Sequence, residues 1–133
     1  MLDIQSRAYQ TQYGRKYQCV IPTNVYGPHD HFSLQDGHVI PSLIHRCYLD
    51  QQAQRPFMVR GTGLPLRQFI HSHDLAHLIM WTLQHYEETE PLILSVDPEE
   101  EVSIGAIAQY IQEAFQHSQL SWDTSFSLSL IHI

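Results

Sequence analysis

Apolar residues along this chain recur in short blocks of two different periods, and the alternation of those periods predicts an α/β architecture. Leu2, Ile4, Ala8, Tyr9 and Tyr13 return at helical spacing, which predicts a helix over residues 2–13 that Gly14 stops. Residues 17–22 form a short apolar run ending in Pro22, as expected of a buried parallel strand. A stretch rich in Asn, Gly, Pro, Asp and His over residues 23–37 reads as a loop. Ile40, Leu43, Ile44 and Cys47 then set one face of a helix over residues 39–52, with Pro41 in its first turn, where a missing N–H costs nothing.

The second half repeats the alternation. Residues 56–59 predict a strand, 61–66 a turn, and Phe69 with Ile70 a short strand before a helix over 73–88 capped by Ser72. Residues 92–96 predict a strand. Ser103 suits the N-cap of a helix reaching about residue 116, with Ile104, Ile107, Ala108, Ile111 and Phe115 as its stripe. Residues 120–123 predict a last strand. The succession of strands and helices fits one partial α/β domain over residues 1–127. The helix at residue 2 has no capping residue before it, so the chain reads as cut within an element. Residues 128–133 fit none of this pattern. Leu128-Ser129-Leu130-Ile131-His132-Ile133 is the translation of the transposase adapter end CTGTCTCTTATACACATC, so this tail is expected to be non-native; different codons there would refute that.

Composition narrows the function. In 133 residues, 43% are hydrophobic and 11% aromatic, enough for a core. A formal charge of −7 removes the basic face that a nucleic-acid binder presents to phosphates. Six of the seven basic residues are Arg, and such scarce guanidinium groups become candidates for contacting an anion. Cys19 and Cys47 lack CxxC spacing and read as reduced core thiols. No apolar stretch approaches the roughly 20 residues of a membrane span, and Met1-Leu2-Asp3-Ile4-Gln5 does not read as a signal peptide. The expected compartment is the cytoplasm.

Three stretches carry candidate chemistry. Pro22-Thr23-Asn24-Val25-Tyr26-Gly27-Pro28-His29-Asp30 follows a strand end, where open α/β sheets bind ligands, and Asn24 offers both a donor and an acceptor there. The same residues could serve only as a well-packed loop. His38-Val39-Ile40-Pro41 places an imidazole beside a helix start, whose free N–H groups favour a neutral ring and attract anions. Arg46 lies two turns further, on roughly the same face; surface solubility would also explain it. Arg60-Gly61-Thr62-Gly63-Leu64-Pro65-Leu66-Arg67 lacks the third glycine of a dinucleotide fingerprint and reads as a nucleotide-clasping turn with Arg67 toward phosphate or ribose. The His29/His31 and His71/His73/Asp74/His77 groups match no zinc signature, so no metal is expected.

Together these stretches resemble the GDP-L-fucose synthase family of the extended short-chain dehydrogenase/reductases. The family pattern runs P-T-N-V/L-Y/F-G-P-H-D-N-F, then H-V-I/L-P-x-L, then W-G-S/T-G-x-P-x-R-E/Q-F-I/L. Here Pro22 to Asp30 is unbroken, His31 stands at the usual Asn, and His38 to Leu43 and Gly61 to Ile70 follow. The resemblance covers about residues 1–124.

It implies the C-terminal part of a Rossmann-like NAD(P)-binding fold plus most of a small substrate-binding domain. It also implies NADPH as cofactor, GDP-4-keto-6-deoxy-D-mannose as substrate, and a homodimer. Epimerisation at C3 and C5 followed by reduction at C4 would yield GDP-L-fucose. His38 matches the family's acid/base histidine near the cofactor, and Pro22, Thr23, Asn24 and Val25 match a segment at the nicotinamide. Arg46 and Arg67 match substrate contacts, and Arg60 replaces a substrate-contacting Trp. The glycine-rich loop and the Tyr-x-x-x-Lys pair are absent from these residues, so this chain alone is expected to be inactive. Other sugar-nucleotide epimerases or dehydratases, a non-catalytic nucleotide-binding module and a histidine-rich metal binder are the competing readings.

Overall fold

A computed structural model describes residues 2–125. The proposed adapter-derived tail lies outside the described residues. The chain divides into two compact units, one of Met1–Gly27 with Gln68–Glu100 and the other of Pro28–Arg67 with the residues from Glu101 onward.

The first unit holds α1 (Leu2–Tyr13), β1 (Val20–Pro22), β2 (Asn24–Tyr26), β5 (Phe69–His71), α3 (Ser72–His85) and β6 (Leu92–Leu94). A 3-10 turn at Pro98–Glu100 follows. Strands β1 and β6 pair in parallel with Ile21 opposite Ile93, and β2 pairs in parallel with β5, Val25 opposite Ile70. Gly14 ends α1 as the pattern predicts, at φ 63° with its amide on the Gln10 carbonyl at 2.8 Å. Ile70 and Leu94 are buried between these elements.

The second unit holds α2 (Val39–Gln52), β3 (Phe57–Arg60), β4 (Leu66–Arg67), β7 (Val102–Ser103), α4 (Ile104–Ala114) and β8 (Leu120–Asp123). Strands β3 and β8 pair in parallel, Val59 opposite Trp122, while β4 and β7 run antiparallel. Leu43 and Cys47 of α2, Phe57 and Val59 of β3, and Ile107, Ala108 and Ile111 of α4 are buried together. Burial pushes the Cys47 thiol pKa up, with Asp50 adding to it. Both cysteines are free; Cys47 is in the core as expected, whereas Cys19 is only half-buried. In the last turn of α2, Asp50 is buried and accepts from Arg55 Nε at 2.6 Å and from the Met58 amide at 3.1 Å.

The α/β expectation holds, and α2 has the predicted bounds. Several details differ. The strand expected at 17–22 pairs only from Val20, because β6 offers three residues for it. The loop expected at 23–37 begins with a strand, β2, since Asn24 to Tyr26 find a parallel partner 45 residues on. Ser72 is the first helical residue of α3 rather than its cap; His71 takes that position, its Nδ1 accepting the His73 amide at 3.3 Å. That helix stops at His85, where Tyr86 turns extended. Among the described residues, no helix is long and apolar enough to cross a membrane.

Candidate functional site

The sequence-predicted residues fall into two groups, one in each unit. In the first unit, Pro22 ends β1 and is exposed, and Thr23 bridges β1 to β2 with its amide on the Leu94 carbonyl at 3.2 Å. Its Oγ1 is buried with no hydrogen-bonding partner. A buried hydroxyl without a partner is uncommon, because losing water without replacement costs about 1–3 kcal/mol. Asn24 opens β2, and its Nδ2 donates to the Gln68 carbonyl at 2.8 Å. That bond leaves the Asn24 side-chain oxygen as an acceptor. Val25 is half-buried.

The carboxyl ends of β2, β5 and β6 in this unit open on a cavity of about 520 Å³ lined by Tyr26, Phe69, His71, Asp74 and Ser95. Tyr26 meets the His71 ring edge-on at 5.3 Å between centroids. Gly27 passes so close to Ser72 that a Cβ there would meet its hydroxyl. Nothing local in the sequence marks Gln68 or His71 as a partner of Asn24. Only the parallel β2–β5 pairing brings them beside the Asn24 segment.

In the second unit, His38 precedes α2 at φ −61° and ψ 163°, and its carbonyl accepts from the Ser42 amide at 3.0 Å and the Ser42 hydroxyl at 2.7 Å. The ring is exposed, with Nδ1 3.5 Å from the Asp30 carboxylate. Residue type and motif alone give Asp30 no role, because a loop separates it from His38 and conceals the pairing. Arg46 is half-buried on α2.

Arg60 ends β3 opposite Asp123 of β8. The Ser125 hydroxyl and amide hold the Asp123 carboxyl below its usual range, and Arg60 adds to that effect. Arg67 is exposed on β4 and folds back so that Nη1 donates to the Leu66 carbonyl at 2.7 Å.

The glycine turn between those two arginines has a structural task. Gly63 sits at φ 71° against the Trp122 ring, which leaves no room for a side chain. The Gly63 carbonyl accepts the Gly105 amide at 2.8 Å, and the Pro65 carbonyl accepts the Ile104 amide at 3.1 Å. Ser103 Oγ takes the Ala106 amide at 3.0 Å, as its predicted capping role requires. The turn therefore satisfies the first amides of α4, groups that would otherwise attract an anion. Among the described residues, no three His, Cys, Asp or Glu side chains gather as metal ligands.

Residues 1–105 match the model of the NAD dependent epimerase/dehydratase family. The GDP-L-fucose synthase of Dictyostelium discoideum is 53% identical over 126 residues, which is 94% of this chain and 39% of that protein. A probable GDP-L-fucose synthase of Drosophila melanogaster is 44% identical over 96% of this chain and 42% of its own length. The crystal structure of a GDP-L-fucose synthetase from Naegleria fowleri bound to NADP superposes with a TM-score of 0.91 at 44% identity, over 97% of this chain and 42% of that one. This chain thus spans about two-fifths of the length of these relatives. With parallel strand pairs, helices between them and a family match over most of its length, the chain belongs to the NAD dependent epimerase/dehydratase family.

Proposed function

We propose that this chain is part of an NADPH-dependent enzyme that converts GDP-4-keto-6-deoxy-D-mannose into GDP-L-fucose. The observation that carries the reading is 53% identity to a GDP-L-fucose synthase across 94% of the chain. His38 is its acid/base group. The C4 ketone acidifies the protons at C3 and C5, so inversion there needs a side chain able to move a proton at carbon.

Pro22, Thr23, Asn24 and Val25 face the nicotinamide end of the cofactor. The orphaned Thr23 hydroxyl fits a polar group bound at that strand end. NADPH would supply the hydride for the C4 ketone. Arg46, Arg60 and Arg67 meet the GDP portion, whose diphosphate suits a guanidinium fork. At Arg60, charge replaces the stacking of the family's Trp, and the Asp123 carboxylate competes for it. We further place the intact enzyme in the cytoplasm as a homodimer.

The 133-residue chain has no Tyr-x-x-x-Lys pair and no glycine-rich loop. Assayed with NADPH and the keto sugar, it is expected neither to oxidise NADPH nor to release GDP-L-fucose. Grafted in place of the matching segment of the Dictyostelium discoideum relative, it is expected to support GDP-L-fucose formation. A graft that folds and binds NADPH yet makes no product would overturn the assignment.

A further inference from the structure

The segment joining the two candidate groups has no helix or strand before α2, yet it is pinned at several points. His45 Nδ1 donates to the Phe32 carbonyl at 2.7 Å. Ser33 Oγ accepts the Gln35 and Asp36 amides, each at 3.2 Å, and the Ser33 carbonyl accepts the Gly37 amide at 3.1 Å. A side chain at Gly37 would collide with the Ser33 and His31 carbonyls. Just before Asp30, His29 adopts φ 68°, a conformation uncommon outside glycine, and turns the chain sharply.

Asp30 sits at the end of that turn with its side chain only 15% exposed, against 75% for His38. Its Oδ1 accepts the His31 amide at 2.7 Å, and the same oxygen lies 3.5 Å from His38 Nδ1. His38 is anchored independently by Ser42 at the start of α2. Two separately fixed backbones thus bring a carboxylate to one particular ring nitrogen.

We infer that Asp30 is a positioning residue for His38, holding the ring proton on Nδ1 and leaving Nε2 to exchange protons with substrate. The inference rests on the acid/base role proposed for His38. A carboxylate only accepts, so the neutral ring pairs with it only when Nδ1 carries the hydrogen. Which nitrogen is protonated is set by the bond the other makes. When Nε2 takes a proton from the carbon beside the C4 ketone, the C–H electron pair moves into the enolate on that ketone oxygen. The ring becomes an imidazolium facing Asp30; a proton reaching the opposite face of the enolate completes the inversion, and the ring gives up its own proton to solvent. Asp30 keeps its own ionisation state throughout, stabilising the charged ring and its orientation. At 3.5 Å the contact is longer than a formed hydrogen bond; catalytic contacts of this kind tighten when substrate is bound.

Nitrogen-15 NMR of the His38 ring tests this in the intact 133-residue chain and in the grafted enzyme. The neutral ring is expected to be mainly the Nδ1–H tautomer. Asp30→Asn keeps the shape but can donate to Nδ1, so it is expected to shift the ring to Nε2–H; Asp30→Glu keeps the acceptor and the original tautomer. In the grafted enzyme, Asp30→Asn is expected to slow solvent-deuterium uptake at C3 and C5 by about 100-fold or more while NADPH binding is unchanged. Asp30→Glu is expected to restore part of that rate. No deuterium uptake by the unsubstituted graft would remove the His38 role itself. Normal uptake with an unaffected Asp30→Asn variant, or an Nε2–H ring in the unsubstituted protein, would overturn the Asp30 inference alone.

Discussion

Helices that each carry apolar residues at helical spacing meet different fates in the two compact units. In the second unit, α2 and α4 turn Leu43, Cys47, Ile107, Ala108 and Ile111 inward around Phe57 and Val59. In the first, α1 buries no residue, and Leu2 and Ile4 remain 75% and 72% exposed. In the same unit, α3 buries only Thr82, leaving Met80, Trp81 and Leu83 exposed. An apolar stripe states that a face gains by being covered; it does not name the cover. The second unit finds that cover within its own residues, so its stability is expected to reside there.

The strongest test of this contrast is Phe57→Ala. Phe57 is fully buried in β3, and its loss leaves a cavity expected to cost about 3–5 kcal/mol in denaturant unfolding. Leu2→Ala in α1 is expected to cost less than about 0.5 kcal/mol. Equal effects would break the comparison. Asp50→Ala comes next, at about 2 kcal/mol. It strands the Met58 amide beneath α2, whereas Arg55 is 62% exposed and recovers water. Ser103→Ala sharpens the contrast least, at about 1 kcal/mol. Amide exchange is expected to speed up at Ala106, while the Gly105 and Ile104 amides stay protected by the Gly63 and Pro65 carbonyls.

Much of the local structure was readable because its causes are local. Gly14 had to end α1, Pro41 could only sit in the first turn of α2, and Ser103 was well placed to cap α4. The misreadings share the opposite cause. Asn24 to Tyr26 look like a loop until Phe69 to His71 supply a parallel partner, and His71 displaces Ser72 as a cap through a ring nitrogen. The candidate site divides in the same way. His38, Asn24, Arg46, Arg60 and Arg67 could be nominated by residue type and motif. That Asn24 is engaged by Gln68 and that the glycine turn serves α4 required partners distant in sequence.

Periodicity, capping residues and motif spacing are properties of neighbours along the chain, so the sequence alone established the α/β class, the bounds of α2 and the resemblance to GDP-L-fucose synthases. Only the folded chain decided which carboxylate meets His38 and which hydroxyl is left orphaned. Those depend on how loops bring remote atoms within a few ångströms, and no local pattern encodes such distances.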